Sequence, residues 1–533
     1  MASDLQIARA VTPGDGTAIQ GQAGRGSDSA SPMPVSGSMM RGSLWSMGGF
    51  AAGQALRFAG NLLLTRLLFP AAFGEMALVA TLVQGLQLFS DVGIGPAIVQ
   101  GARGDDPRFL KTAWTVQCAR GVVLWVLSLL IARPVAGLYG RESLAWYIPV
   151  AALCAVFGGF ESIAVSTQQR HVRLERLTLI DFSTQAITVL ATVLLAVVVR
   201  SHLGPDHPAA VWALVGGTLV GNAARLAMTH LVLPRFHHGF LLERDALATL
   251  FGFGRWIFFS TLLFFLAGQA DRLVLGKLIP MDLLGVYGIA IALASLPTQA
   301  VQRLAASVLF PSYSRISGQL DFARSVQRAR MPVLLSGATL VTGLIACGPF
   351  LVRGLYDNRY AEASWMVQLL AASAWLQLLE STNGAVLLAK RLLPWHAASY
   401  ASKVVGLVLL VPAGFWAGGL RGAILGLVAA DAAKYVVSAT GVARCGVRVV
   451  WRDAGLTALI ALLSAGAIAV GSIMYAGWGP LAGFLGAGAT AVAAWATVAA
   501  PILLRRRRGE PSVASPGTPE PIWTAGAEPG REP

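Results

Sequence analysis

The positions of this sequence with chemistry to offer are polar and charged residues set inside apolar stretches. Gln54, Arg57, Asn61 and Thr65 stand three, four and four residues apart, a spacing that lines them along one face of a helix. Gln84, Gln87 and Asp91 follow in the next apolar stretch. Asp181, Thr184, Gln185 and Thr188 mark another, and Gln377, Glu380 and Asn383 a further one. Arg120 with Gln117, Arg225 with Asn222, and Asp431 with Lys434 are neighbours three residues apart. An ionised group near the centre of a bilayer costs about 2.5 to 3.5 kcal/mol on insertion scales, so each of these must meet a partner or water. Two readings compete. In one, the groups are stitches between helices, with Asp431 and Lys434 neutralising each other; in the other, several line a hydrated central cavity. A set spread over so many helices favours the cavity for the set as a whole.

The elements that must hold these residues follow from composition. Of 533 residues 55% are hydrophobic and only 13% charged, against roughly 25% charged in an ordinary soluble domain. About fourteen windows of roughly 20 apolar residues run between residues 44 and 504, which predicts an all-α polytopic membrane protein of about 14 transmembrane helices. Residues 404 to 430 read either as one long span or as two joined at Gly418-Gly419. The chain carries 41 Lys and Arg against 26 Asp and Glu, a formal charge of +15. With the N-terminus cytoplasmic, the loops on that side and the Arg505 to Arg508 cluster hold about 21 basic residues, including Arg170, Arg315, Arg330 and Arg444, and the opposite side about 9. That asymmetry is the positive-inside signal, puts both termini in the cytoplasm and needs no nucleic acid to explain the basic excess.

The chain also resembles itself. Arg66-Leu67-Leu68-Phe69-Pro70, then Phe73-Gly74, has a counterpart in Gly276-Lys277-Leu278-Ile279-Pro280, then Leu284-Gly285. Six spans separate the copies, so the halves share one orientation and are related by an axis along the membrane normal. The expected organisation is a disordered cytoplasmic tail over 1–40 with no signal peptide, an N-terminal six-helix lobe over 41–235 and a C-terminal six-helix lobe over 236–445. Two additional transmembrane helices over 446–504 and a basic, then Pro- and Gly-rich, disordered tail over 505–533 complete it.

Four cysteines far apart and seven histidines without ligand spacing predict no metal site. No GxxxxGK[ST], GxSxG or HExxH motif occurs, so no cofactor and no enzymatic role are expected, and transport would draw on a gradient or the membrane potential.

Arg66-Leu-Leu-Phe-Pro-Ala-Ala-Phe-Gly74, Phe89-Ser90-Asp91-Val92-Gly93 and Ala97-Ile98-Val99-Gln100 resemble the opening of bacterial polysaccharide flippases. Asp271-Arg272-Leu-Val-Leu-Gly276 and Leu309-Phe310-Pro311-Ser312-Tyr313-Ser314-Arg315-Ile316 are similar to that family's second-lobe signatures. The likeness covers roughly residues 41 to 440 and is nearest the succinoglycan and colanic acid export branch, in the superfamily that includes multidrug extruders and the lipid II flippase. It implies two six-helix lobes that move undecaprenyl-diphosphate-linked oligosaccharide across the bacterial inner membrane, for exopolysaccharide or lipopolysaccharide biosynthesis. Membrane lipids, and a polysaccharide polymerase and co-polymerase, would be partners.

A diphosphate calls for cationic donors, and arginine's planar fork suits phosphate oxygens. Arg57, with Arg120 and Arg225 behind it, is therefore expected to bind the headgroup. Gln54, Asn61, Gln84 and Gln87 would serve sugar hydroxyls, and Asp91, Asp181, Asp271, Arg272 and Glu380 are candidates for a proton site or gate. The alternatives are a cation-coupled drug extruder of the same superfamily, which would favour carboxylates and aromatics in the cavity, and a membrane polymerase or glycosyltransferase, which would need a large external segment.

Overall fold

The computed structural model describes residues 35–89, 93–171, 173–204, 206–234, 236–304, 309, 312–314 and 321–508. Of the expected tails over 1–40 and 505–533, residues 1–34 and 509–533 lie outside the described residues, as does Asp91, whereas 35–40 and 505–508 are helical and correct the expected bounds. The first half contains helices α1 (Val35–Leu67), α2 (Pro70–Phe89), α3 (Ile94–Gln100), α4 (Pro107–Tyr139), α5 (Leu144–Ala151), α6 (Leu153–Phe160), α7 (Ala164–Arg170), α8 (Leu174–Leu203) and α9 (Ala210–Leu231). The second contains α10 (Arg244–Leu278), α11 (Met281–Leu304), α12 (Phe322–Leu355), α13 (Ala363–Ala389) and α14 (Leu393–Ala443), followed by α15 (Val450–Trp478) and α16 (Pro480–Arg508). Among the described residues nine helices are long and apolar enough to cross a membrane, ten if the bent run Leu144–Phe160 plus Ala164–Arg170 is one span. The protein is a multi-pass membrane protein. Helices α1, α10 and α13 also exceed the roughly 20 residues a crossing takes but stand outside that count.

Helix α14 has 51 residues, about 77 Å at 1.5 Å per residue and far longer than a bilayer core of about 30 Å. It folds back on itself at Gly418 and Gly419, where Gly419 takes φ 58°. A left-handed φ is open to glycine at little cost, so the turn falls there. Gly414 packs on Gly422, Gly406 on Ala430 and Gly426 on Leu410, the pairing of an antiparallel hairpin centred on the glycines. The Gly-Gly position is therefore a turn between two helices.

The buried apolar side chains separate into two main bodies. One runs from Leu64 to Val215 and belongs to the first half; the other runs from Ala270 to Ala430, with Leu78 its one buried member from the first half. The bodies meet reciprocally. A Cβ on Gly74 would collide with the Met281 carbonyl, and one on Gly285 with the Pro70 carbonyl. Helices α2 and α11 thus cross backbone to backbone at equivalent glycines, the self-complementary contact a two-fold axis produces. This crossing lies beside the 68–69 and 279–280 turns.

One sequence expectation is corrected here. Arg330, read as a cytoplasmic loop charge, lies inside α12, which begins at Phe322, and its side chain is 4% exposed. Its guanidinium forms a two-pronged pair with Asp453 of α15 at 2.8 and 2.9 Å, bonds Thr382 Oγ1 at 2.6 Å, and shares Asp453 with the Tyr435 hydroxyl. The pair was hidden because a charge at the edge of an apolar window reads as a loop residue until its partner, 123 positions away, is brought against it.

Candidate functional site

Two bridges of amides join the halves. Gln54 on α1 donates to Gln299 on α11 at 3.1 Å, and Gln269 on α10 donates to Gln84 on α2 at 3.2 Å. Each joins the first helix of one half to the second helix of the other, so the bridges are related as the pseudo-two-fold requires. Arg272 donates to Gln269 Oε1 at 2.8 Å and extends the second bridge. Gln269 and Gln299 were not among the expected site residues. A signal for them existed, because the 30-residue interval from Gln54 to Gln84 recurs between them.

Arg57 is exposed, and among the described residues it has no hydrogen bond or ion pair. On α1 the exposed ridge is Ala55, Ala59 and Leu63, while Phe58 and Leu62 pack on the second body and Gly60 packs on Val189 of α8. At 3.6 residues per turn Arg57 stands roughly 160° from Ala59 and about 60° from Gln54. Asn61 is half-buried on the same side as Arg57.

A separate cavity of about 380 Å³ lies within the first half. Gln87, Gln117, Arg120, Glu161, Asn222 and Arg225 supply its polar wall. Gln117 is held by its amide to the carbonyls of Gly158 and Gly159, where α6 ends. Arg120 donates to the Gln87 carbonyl at 2.5 Å, and the Gln87 amide reaches Cys154 Sγ at 3.3 Å. Arg225 is forked between Glu161 at 3.0 Å and Asp181 at 2.5 Å. The structure thus brings Gln87, Arg120, Arg225 and Asp181 together, about one helical turn along α2 from Gln84 and its amide bridge.

The segment between the halves is anchored beside this cavity. Leu241 N–H donates to Thr115 and Glu243 N–H to Thr112, both on α4. His238 meets Ser162, a cavity residue, at 3.2 Å and packs on Trp114. Burial, with His230 nearby, pushes the His238 imidazole below the usual histidine range. On the adjoining surface a hydrogen bond from His171, and then one from Arg170, hold Asp105 below the usual carboxylate range.

The second half holds a cavity of about 200 Å³ lined by Asp271, Arg272, Ser295, Ser373, Gln377 and Lys403 among others. Asp271 is buried and accepts a short hydrogen bond from the Tyr287 hydroxyl. Asp431 accepts from Ser373 and Gln377 and pairs with Lys403 at 2.7 Å. Glu380 pairs with Lys434 at 2.8 Å, and that ammonium also lies over the Tyr400 ring. The expected local pair of Asp431 with Lys434 is therefore corrected: each pairs instead with a residue of a neighbouring segment. Residues three apart on a helix diverge by about 60°, and both groups face inward to separate partners.

No group of three or more metal-ligating side chains occurs among the described residues. In its fold the chain is similar to the lipid II flippase MurJ in an inward closed conformation, with TM-score 0.67, 12% identity, and 86% of this chain and 99% of that one covered. An inward-facing multidrug resistance MATE family transporter of the MOP superfamily aligns with TM-score 0.57 and 14% identity, over 76% of this chain and 95% of the transporter. In sequence the chain is 22% identical over 306 residues to the teichuronic acid biosynthesis protein TuaB of Bacillus subtilis, covering 57% of this chain and 61% of the relative. It is 25% identical over 342 residues to the succinoglycan biosynthesis transport protein ExoT of Rhizobium meliloti, covering 62% and 65%. The matches span less than two thirds of either relative's own length. A family match covers residues 63–380, and the chain belongs to the polysaccharide biosynthesis protein family.

Proposed function

We propose that this protein is a flippase that moves undecaprenyl-diphosphate-linked oligosaccharide repeat units from the cytoplasmic to the periplasmic leaflet of the bacterial inner membrane. On this reading 41–235 and 236–445 are the moving lobes, both termini are cytoplasmic, and the lobes work by alternating access around a cationic cavity. The chain would serve exopolysaccharide or lipopolysaccharide assembly beside a polymerase and co-polymerase. The observation that carries the reading is Arg57, an exposed and unpaired guanidinium turned away from the apolar ridge of α1 and toward the side where Gln54 bridges to the second half. A fixed cation flanked by amides matches a diphosphate followed by sugar hydroxyls. Arg120 and Arg225 would add cations in the first-lobe cavity, with Glu161 and Asp181 acting as the gate that a headgroup displaces. Asp271, Arg272 and Glu380 would act through the second-lobe pairs. The prenyl tail stays in lipid, so only the headgroup crosses. Moving about two negative charges out of a cytoplasm held near −100 mV is downhill by roughly 4 to 5 kcal/mol, enough to bias transport without a coupled ion.

The test is Arg57→Ala in cells that make the polysaccharide. Export is expected to stop at unchanged protein level, with lipid-linked repeat units accumulating in the cytoplasmic leaflet. Arg57→Lys should keep partial export if charge suffices and little if the two-pronged geometry matters. Export at the wild-type rate in Arg57→Ala would remove the cationic-cavity mechanism and favour a cation-coupled small-molecule exporter.

A further inference from the structure

At the end of the molecule that carries the 68–69 and 279–280 turns, side chains of each half donate to the backbone of the other. Lys277, in the last turn of α10, donates to the Leu138 carbonyl in the last turn of α4. Arg66, in the last turn of α1, donates to the Leu355 carbonyl at the end of α12, at 3.4 Å. These are one contact made twice. Arg66 stands eight positions before Gly74 and Lys277 eight before Gly285, the two glycines of the α2 and α11 crossing. The acceptors repeat as well, Leu138 within Gly137-Leu138-Tyr139 and Leu355 within Gly354-Leu355-Tyr356. In each half the first helix thus lends a cation to the last turn of the other half's third long helix.

The last carbonyls of a helix have no partner inside it and carry the negative end of its dipole, so a lysine or arginine is the donor that suits them. Here that donor comes from across the boundary between the halves. Both basic side chains are exposed, and among the described residues neither has an ion-pair partner. Two further contacts cross at the same place: the Tyr139 hydroxyl donates to the Leu273 carbonyl at 3.1 Å, and Arg359 to the Thr65 carbonyl at 3.4 Å. All four exist only while the halves touch at this end. Because Lys277 and Arg66 are exposed, water can take over from the carbonyls when the halves separate, and parting strands no buried charge.

We propose that the contacts of Lys277 with Leu138 and of Arg66 with Leu355 form a paired latch, which holds the halves together at this end and releases when they part there. The inference rests on the alternating-access reading above, under which this end faces the periplasm and opens for the substrate to leave. The two caps span one boundary and are equivalent under the pseudo-two-fold, so each carries a similar share of the hold. Tyr139 and Arg359 add to it without a repeated counterpart.

The test uses the full chain in lipid nanodiscs, with Cys118, Cys154, Cys347 and Cys445 changed to alanine and spin labels on cysteines placed at Ser201 and Ala361. Both positions are exposed and lie at this end, Ser201 beside Arg200, which donates to the Arg66 carbonyl, and Ala361 beside Tyr360. Pulsed electron spin resonance reads the distance between the labels, so neither substrate nor export enters the measurement. Arg66→Ala/Lys277→Ala should raise the ratio of parted to joined molecules about tenfold, and each single alanine variant about threefold. Arg66→Lys/Lys277→Arg keeps both donors and should match the parent chain, which separates lost donation from lost packing. An unchanged ratio in the double alanine variant would overturn the latch, and so would a conservative pair that parts as readily as the alanine pair. If the double variant does not fold, the two single variants decide, an unchanged ratio in both overturning the latch. One fixed distance in every variant and in the parent would remove the alternating-access reading as well.

Discussion

Leaving aside surface pairs such as Arg324 with Asp321 and Arg359 with Asp357, the ion pairs set among the helices of the two halves differ in how much water they see. Arg225 in the first half has a side chain 30% exposed, and its partners Glu161 and Asp181 are 17% and 61% exposed. In the second half Lys434 with Glu380 are 9% and 6% exposed, and Arg330 with Asp453 4% and 2%. Exposed pairs are worth about 0 to 1 kcal/mol and exchange partners readily, whereas removing one member of a buried pair costs about 3 to 5 kcal/mol because it leaves a charge without solvent. Under the proposed function the Arg225 fork of the first half is therefore a set of charges that an incoming anion can recruit, whereas the buried pairs of the second act as framework.

The contrast is broken most severely at Arg330 and Asp453. Asp453→Ala leaves a buried guanidinium with Thr382 and a carbonyl as its remaining acceptors, and should destabilise the protein by about 3 to 5 kcal/mol. The loss should be visible as a fall in membrane-inserted protein and in detergent melting temperature. Arg330→Met/Asp453→Leu should recover most of it, because two apolar side chains replace the pair with no stranded charge. If Asp453→Ala melts like the wild type, the second half is wetter than its geometry implies.

A smaller effect is expected at Glu380 and Lys434. Each single alanine variant should lose stability, and the double variant should lose less than the sum, with a coupling of about 1 to 3 kcal/mol in a double-mutant cycle. Glu380 Oε1 has no hydrogen-bond partner among the described residues, so the carboxylate depends on the Lys434 ammonium and Lys434→Ala should be the worse single change. Additive losses would mean that the two charges are solvated separately.

How much of this was legible in the sequence depends on range. The hairpin of α14 was marked by Gly418-Gly419, since a left-handed φ advertises itself through glycine. The crossing of Gly74 with Gly285 was foreshadowed by the recurring Pro and Gly pattern. Helical spacing grouped Arg120 with Gln117 and Arg225 with Asn222, and both pairs line one cavity. What spacing could not supply was partners. Lys403 finds Asp431 and Lys434 finds Glu380 because tertiary packing, not helix period, decides which inward faces meet. For the same reason Gln269 and Gln299 stand out only once the helices are packed, although their interval repeats that of Gln54 and Gln84.

The finest test of the contrast is Asp181→Asn, which removes one charge from the Arg225 fork while keeping its shape. Asp181 is 61% exposed and Glu161 remains at 3.0 Å, so stability should change by less than about 1 kcal/mol. Under the proposed function the same change frees Arg225 from one of its two competitors. Headgroup capture should then strengthen, and export should alter in rate while the melting temperature stays put. An Asp181→Asn protein that melts several degrees lower would place this fork with the buried pairs of the second half. If instead stability and export both stay at wild-type values, Arg225 is not a cation that the substrate recruits, and Arg57 and Arg120 would have to hold the diphosphate without it.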